Sequence, residues 1–100
     1  MDIKVSRNGL NFEWDDNKNT LNILNHKIPF SLALEVFFDP DAIIRNDDVH
    51  SIGEVRYQII GRVQKILVVA YTERDGNSIR LISARIAEKE EKEAYYGNFR

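Results

Sequence analysis

The spacing of apolar residues in the first quarter of the chain predicts a helix that begins after a short strand. Residues 11–15 (NFEWD) have the composition of a short strand, and Asp15 or Asp16 can cap the helix that follows. The helix is expected to run to about His26 and to stop before Pro29. At about 100° per residue, one face is apolar and is expected to meet the core. That face contains Leu21, Leu24 and Ile28, and a polar row at its edge contains Lys18, Asn22 and His26.

A second helix is predicted from the next stretch, FSLALEVFFDPD. Ser31 is its expected N-cap, and Asp39-Pro40 ends it because proline disfavours a helical residue before it. Its core positions are Leu34, Phe37 and Phe38.

After Pro40 the pattern changes to the alternation and the apolar runs of strands. The predicted strands are 42–46, 54–63, 65–73 and 78–86, with turns at 61–65 and 75–77. A short charged helix closes the chain, and Gly97 is a candidate stop. The sequence therefore predicts an α+β fold: an antiparallel, mainly meander sheet of about four strands, packed on one face by two N-terminal helices and a short C-terminal helix. We expect one domain over 1–100, with 1–10 an arm or an extra strand.

Composition narrows the class of protein. The chain has 100 residues, of which 30% are charged, and its net charge is −2. Because it has no cysteine, disulfides and thiolate chemistry are excluded. We expect a cytoplasmic protein without a membrane span, a metal site or an organic cofactor. The charge is uneven, because the segment 55–85 carries six basic residues against Glu73 and Asp75. A local basic field can attract phosphates even in an acidic chain.

Strand alternation indicates where those arginines point. Arg56 and Arg62 share a face of one strand, and Arg85 shares a face of the last strand with Ile79 and Leu81. Arginines on the wet side of a sheet are ordinary, so each can be merely solvated. The position of Arg85 near the core side would require a partner or a ligand.

The two histidines allow similar alternatives. His50 lies in a loop among carboxylates, where a solvated role is favoured over a metal ligand. His26, at a helix end, can cap carbonyls there and interact with the helix dipole.

Several ordered motifs resemble one family. FEWDDNKNTLNILNHKIPF resembles the opening signature of the BrnT toxins, and EVFFDP resembles their second-helix ending. HSIGEVRYQIIG, LVVAYTER and IRLISARIAEKEEKEAYY resemble their later segments, so the resemblance covers about residues 12–96. The family usually has Lys-His-Gly where this chain has Asn25-His26-Lys27.

The resemblance implies a toxin of a type II toxin–antitoxin module with a RelE/ParE-like fold. Such a toxin is a ribonuclease that inhibits translation, and its substrate is RNA. It also implies a cognate, BrnA-like antitoxin that binds the toxin and the operator DNA, so that DNA is contacted only through the antitoxin.

With the resemblance, the residues suggest a metal-independent ribonuclease site. Histidine can move a proton at neutral pH, and cations can stabilise the charge that develops on a phosphate. We predict His26 as the acid/base, Arg56 and Arg85 as a phosphate clamp, and Lys18 beside them. The predicted RNA-binding residues are Arg62, Arg74 and Arg80, and the supporting residues are Asn22, Ser83 and Tyr71. Alternatively, Lys18, Asn22 and His26 merely fix the first helix.

Two other functions stay open. The chain could be an inactive toxin-fold protein that serves only in a transcription-regulating complex, which the altered Asn25-His26-Lys27 segment and the acidic charge favour. The shared fold also allows a ParE-like action on DNA gyrase. The aromatic residues near the end, Tyr95, Tyr96 and Phe99, are expected either to pack on the sheet or to meet an antitoxin segment.

Overall fold

A computed structural model describes residues 1–98, and Phe99 lies outside the described residues. The strands are β1 (Asp2–Arg7), β2 (Leu10–Asp15), β3 (Ile43–Asn46), β4 (Arg56–Val63), β5 (Lys65–Arg74) and β6 (Ser78–Ile86). The α-helices are α1 (Asp16–His26), α2 (Phe30–Ala33) and α3 (Lys89–Gly97), and 3-10 helices cover Leu34–Phe38 and Asp48–His50. None of the helices within residues 1–98 is long and apolar enough to cross a membrane.

The sheet is larger than the sequence predicted, and it is mixed. Its six strands have the order β1-β2-β6-β5-β4-β3, and β2 pairs with β6 in parallel while all other neighbours are antiparallel. The prediction of α+β architecture with a β4–β5–β6 meander is confirmed, but the prediction of about four antiparallel strands is wrong. Residues 2–7 form strand β1, which pairs with β2 in a hairpin. The hairpin turn is at Asn8 and Gly9, which have φ angles of 50° and 85°. The parallel contact of β2 with β6 joins residues far apart in sequence, so no local pattern announces it.

Helix α1 is rotated relative to its apolar pattern. Leu21 and Leu24 are 57% and 68% exposed, whereas Asn22 is buried. The amide of Asn22 donates to the backbone oxygens of Ile28 (2.8 Å) and Ala84 (3.0 Å), and it accepts from the backbone N–H of Ala84 (3.0 Å). The prediction that Leu21 and Leu24 face the core is therefore wrong. The pairing of β2 with β6 ends at Arg80, so the backbone of β6 beyond that residue has no strand partner on the β2 side. Asn22 bonds the backbone N–H and C=O of Ala84 there, which would otherwise be buried without partners.

The second predicted helix is shorter and tighter than expected. It begins as the four-residue α2, continues as the 3-10 helix 34–38, and starts after Pro29 without a side-chain cap, so Ser31 is not its N-cap. Leu34 is fully buried, and Phe37 and Phe38 pack against Phe12 with ring centroids 5.3 and 6.1 Å away. Gly61 allows this close packing on β4, because a Cβ there would meet Val36 at 3.2 Å. Gly61 thus lies inside a strand, and the predicted turn narrows to Val63, Gln64 and Lys65.

Helices cover both faces of the sheet. The main core, which includes Phe12, Trp14, Leu34 and Val69, lies under α2 and the 3-10 helix 34–38. A smaller core lies on the opposite face, where Tyr95 of α3 packs on strand residues such as Ile60 and Val68. The prediction that all helices lie on one face is therefore wrong, because the closing helix takes the face that was expected to be open.

A β-bulge in β6 reverses the predicted orientation of Arg85. Opposite β5, Leu81 pairs with Tyr71 but Ser83 pairs with Ala70, so Ile82 is an extra residue. A bulge moves every later side chain to the other face. Arg85 consequently shares a face with Val68 in the smaller core and lies away from Ile79 and Leu81.

Candidate functional site

The end of α1 brings His26 to the rim of a cavity. Asp15 caps the helix start by accepting from the backbone N–H of Lys18 at 3.3 Å, which confirms Asp15 as the cap. The helix ends where Lys27 adopts φ 60° and donates its backbone N–H to Ile23 at 2.8 Å. This left-handed residue reverses the chain direction, so that Ile28 enters the core while His26 and Lys27 stay exposed.

The cavity beside His26 has a volume of about 490 Å³, and no carboxylate of residues 1–98 lines it. It lies between the end of α1, the β4–β5 turn and the end of β6. Its polar lining residues are Asn25, His26, Lys27, Gln64 and Lys65, and its apolar ones are Ile28, Leu32, Val63, Leu67 and Ile86. The lining therefore combines an imidazole with two ammonium groups over an apolar floor, which suits a phosphate attached to an organic group.

A second cavity of about 380 Å³ adjoins the first. It is lined by Arg62, Lys65, Ile66, Ile86, Lys92 and Tyr96, and Lys65 and Ile86 line both cavities. The Arg62 guanidinium donates to the Tyr96 hydroxyl at 2.8 Å and lies 5.8 Å from the centre of its ring. We call the two cavities together the cationic groove.

Two residues of the groove have an unfavourable backbone conformation. Lys27 and Gln64 have φ angles of 60° and 64°, a region that residues other than glycine, asparagine and aspartate rarely occupy. The other non-glycine residues with positive φ within residues 1–98 are Asn8 and Asn77. Strained backbone often marks functional sites. Here each has a local cause, because Lys27 ends α1 and Gln64 forms the turn between β4 and β5.

The predicted arginines other than Arg62 lie outside the groove, where carboxylates neutralise them. We define the arginine face as the part of the sheet surface opposite α2 that carries Arg45, Arg56, Arg74, Arg80 and Arg85. Arg62 projects from the same surface of β4, where that surface borders the second cavity. Arg85 makes two hydrogen bonds of 2.7 Å to the buried carboxylate of Glu91. These bonds raise the pKa of Arg85, and the same interaction lowers the pKa of Glu91.

The other members of the arginine face are paired in the same way. Arg80 contacts Glu13 at 2.6 Å and Asp2 at 3.1 Å, and the hydrogen bond to Asp2 raises its pKa. Arg45 contacts Glu90 at 3.1 Å. Glu54 lies 3.6 Å from Arg56 and 3.3 Å from Arg74, and the buried Nε of Arg56 has no hydrogen-bond partner within residues 1–98.

The structure does not bring the four predicted catalytic residues into one cluster. His26 belongs to the cationic groove, whereas Arg56 and Arg85 lie on the arginine face. Lys18 is exposed in the first turn of α1, about 12 Å along the helix from His26 at 1.5 Å per residue. Of the predicted RNA-binding residues, Arg62 lies in the groove, while Arg74 and Arg80 are paired on the arginine face.

The predicted supporting residues occupy three different environments. Asn22 is the buried bridge between α1 and β6 described above. Tyr71 is a core residue whose ring stacks on Tyr57 with centroids 5.4 Å apart, and burial raises its pKa to about 12. Ser83 is half-buried on the arginine face opposite Ala70.

His50 ends the 3-10 helix Asp48–His50 and is exposed, with a ring nitrogen 3.0 Å from the carboxylate of Asp47. Within residues 1–98, no group of three side chains from histidine, aspartate or glutamate is arranged to hold a metal ion.

Sequence reasoning missed the lysines of the groove. Lys65 belongs to the basic segment 55–85, but Lys27 and Lys92 stand beside no motif that separates them from ordinary surface lysines. Only the change from the usual family glycine at position 27 marks one of them.

Fold and site together define a small α+β protein with a single mixed sheet and a groove suited to polyanionic ligands. The profile of one family, "Ribonuclease toxin, BrnT, of type II toxin-antitoxin system", matches residues 14–91, and the chain belongs to this family. The chain is also similar to the ribonuclease toxin BrnT of Brucella abortus, whose crystal structure was determined at 1.1 Å resolution. The identity is 25% and the TM-score 0.59, over 76% of this chain and 94% of that one. No curated protein matches the chain. The predicted resemblance to the BrnT toxins is thereby confirmed.

Proposed function

We propose that this protein is an endoribonuclease toxin that cuts RNA in the cytoplasm without a metal ion, inhibits translation and is neutralised by a cognate antitoxin. The observation that carries the proposal is the position of His26, which is exposed at the rim of a cationic cavity beside Lys27 and Lys65. Membership of a family of ribonuclease toxins supports RNA as the substrate.

The chemistry of this cavity suits attack by a ribose 2′-hydroxyl on the adjacent phosphate. His26 accepts the 2′-hydroxyl proton as the new P–O2′ bond forms, and the P–O5′ bond breaks. The 5′-oxygen leaves with a proton that it takes from protonated His26, directly or through a water molecule, which gives a 2′,3′-cyclic phosphate and a 5′-hydroxyl and returns His26 to its neutral form. Lys27 and Lys65 offset the negative charge that develops on the phosphate oxygens. A catalytic Mg²⁺ would require carboxylate ligands, and none of the described residues that line the cavity provides one.

The predicted arginines enter the proposal unequally. Arg62 keeps its predicted role as an RNA-binding residue, because its guanidinium lines the groove. Arg56 has only an ion pair of 3.6 Å with Glu54, and its buried Nε has no hydrogen-bond partner among residues 1–98. A phosphate-binding role for Arg85 requires that RNA displace Glu91, whose carboxylate makes two hydrogen bonds to the guanidinium. The same holds for Arg74 and Arg80.

The test is cleavage of RNA by the purified protein in EDTA, with His26→Ala beside His50→Ala. His50 provides the matched control, since it is an exposed histidine outside the groove. We expect cleavage by the wild type and by His50→Ala, and a loss of roughly 10²- to 10⁴-fold in His26→Ala, the usual contribution of a general acid/base. Equal activity of the two variants would remove His26 from the mechanism, and an Arg85→Ala variant that cleaves normally would remove the clamp.

A second candidate function is a toxin-fold protein without catalytic activity that acts by binding the antitoxin, which in turn binds operator DNA. The segment Asn25-His26-Lys27 and the net charge of −2 favour it. Absence of growth arrest on induction, together with intact antitoxin binding, would support this function. Growth arrest without RNA cleavage would point to a different target such as DNA gyrase.

A further inference from the structure

The second cavity of the groove lies beyond the reaction proposed at His26, and two of its three charges, those of Lys65 and Lys92, have no evident structural use. Within residues 1–98, Lys65 and Lys92 lie in no ion pair, in contrast to the five residues of the arginine face. Arg62 is held by the Tyr96 hydroxyl. The nearby carboxylate of Asp39 accepts from the backbone N–H of Arg62 and the hydroxyl of Tyr95.

Three cations around one concave surface repel each other unless an anion lies between them. The cavity offers about 380 Å³ for such an anion, and Ile86, which is 40% exposed, lies at the junction with the first cavity. An anion with an organic portion fits both features, since the apolar side chain can contact a ribose or a base.

We propose that Arg62, Lys65 and Lys92 form a second phosphate-binding subsite, which holds the RNA strand on one side of the bond cut at His26. This inference rests on the proposed function for the identity of its ligand. Lys65 lies between the two subsites and lines both, so it can contact the phosphate between them. Lys92 lines only the second cavity and reports on that subsite alone.

The chemistry gives each side chain a distinct part. The planar guanidinium of Arg62 can bind a phosphate through two N–H groups, and its bond to Tyr96 fixes the direction of that fork. Lys65 and Lys92 are point charges on flexible stems that follow the backbone without reading its sequence. The subsite therefore adds affinity for the strand and no sequence preference.

The experiment measures binding of a labelled, uniformly 2′-O-methylated RNA strand at several salt concentrations. This probe lacks the attacking hydroxyl, so binding is recorded without cleavage. The variants are Lys92→Ala and Lys89→Ala. Lys89 is the matched control because it belongs to the same helix, is 92% exposed and faces Glu93 outside the groove.

We expect Lys92→Ala to weaken binding and to reduce the slope of log affinity against log salt by about 0.7, the contribution of one single-strand phosphate contact. Lys89→Ala should keep the wild-type slope. Equal effects of the two variants, or a wild-type slope in Lys92→Ala, would overturn the second subsite.

The test separates this inference from the proposed function. A protein that never cleaves RNA but shows the Lys92-specific change in slope retains the subsite and loses the nuclease. A protein that cleaves RNA through His26 and shows no such change retains the nuclease and loses the subsite.

Discussion

The arginine face and the cationic groove lie on the same small sheet and hold their positive charges in opposite ways. On the arginine face every guanidinium has a carboxylate partner, as in the two 2.7 Å bonds between Arg85 and Glu91. In the groove, Lys27, Lys65 and Lys92 have none among residues 1–98, and no acidic residue lines either cavity.

The difference shows why a count of basic residues is a poor guide to a binding site. A guanidinium already bonded to a buried carboxylate must lose those bonds before it binds a phosphate, which is costly in a partly buried place. A lysine without an ion-pair partner at a cavity loses only its hydrating water when it binds a phosphate. The comparison therefore predicts that the arginine face contributes mainly to stability and the groove mainly to binding.

The largest expected effect tests the anchor that holds α1 beside the groove. Asn22→Ala leaves the backbone N–H and C=O of Ala84 buried without partners, so we expect the free energy of unfolding to fall by about 3 kcal/mol. Urea denaturation of the variant and the wild type measures this difference in the free energy of unfolding.

Leu24→Ala on the same helix is the control. Because Leu24 is 68% exposed, its replacement should change stability by no more than about 0.5 kcal/mol. A loss of several kcal/mol in Leu24→Ala with little change in Asn22→Ala would restore the orientation of α1 that the apolar pattern predicted.

The next effect tests the arginine face. Glu91→Gln replaces the carboxylate that binds Arg85 and that also accepts the backbone N–H of Glu88 at 2.8 Å in the capping box of α3. Because Arg85 keeps partial contact with water, we expect a loss of about 2 kcal/mol. The exposed neighbour Glu90, replaced by glutamine, should show a much smaller loss.

Acid titration of stability sharpens this prediction. Arg85 lowers the pKa of Glu91 in the folded protein below its ordinary value of 4.5. Its stabilisation is therefore fully present above pH 4.5 and is lost as the pH falls through the folded pKa. We expect Glu91→Gln to lose less stability than the wild type on acidification below pH 4.5. Parallel curves for the two proteins would contradict a stabilising Arg85–Glu91 pair.

The smallest effect tests strain in the groove. Lys27→Gly relieves the left-handed conformation at position 27, so we expect the free energy of unfolding to rise by up to about 1 kcal/mol. The same change removes a cation and should weaken RNA binding. Lys27→Ala separates the two effects, because it loses the charge but keeps the strain. A Lys27→Gly protein that is both more stable and equally good at binding would show that Lys27 has no part in the groove.

Much of the fold follows from local signals in the sequence. The strand predicted at 78–86 is found with the same ends, because alternation and the flanking turn residues are local properties. The hairpin turn at Asn8-Gly9, the cap at Asp15 and the family also follow from short stretches of residues. His26 was a candidate on the same basis, since its residue type and the family motif are visible along the chain.

The tertiary structure alone decided which face each element presents and which charges are neutralised. The rotation of α1 depends on the edge of β6 at Ala84, which lies 62 residues from Asn22. The side on which Arg85 lies depends on one bulged residue, and the pairing of Arg80 depends on Glu13, 67 residues away. Contacts over such separations leave no periodic signal, because they form only when the whole sheet assembles. The sequence therefore determined the elements and the chemistry available, and packing determined where that chemistry is free to bind.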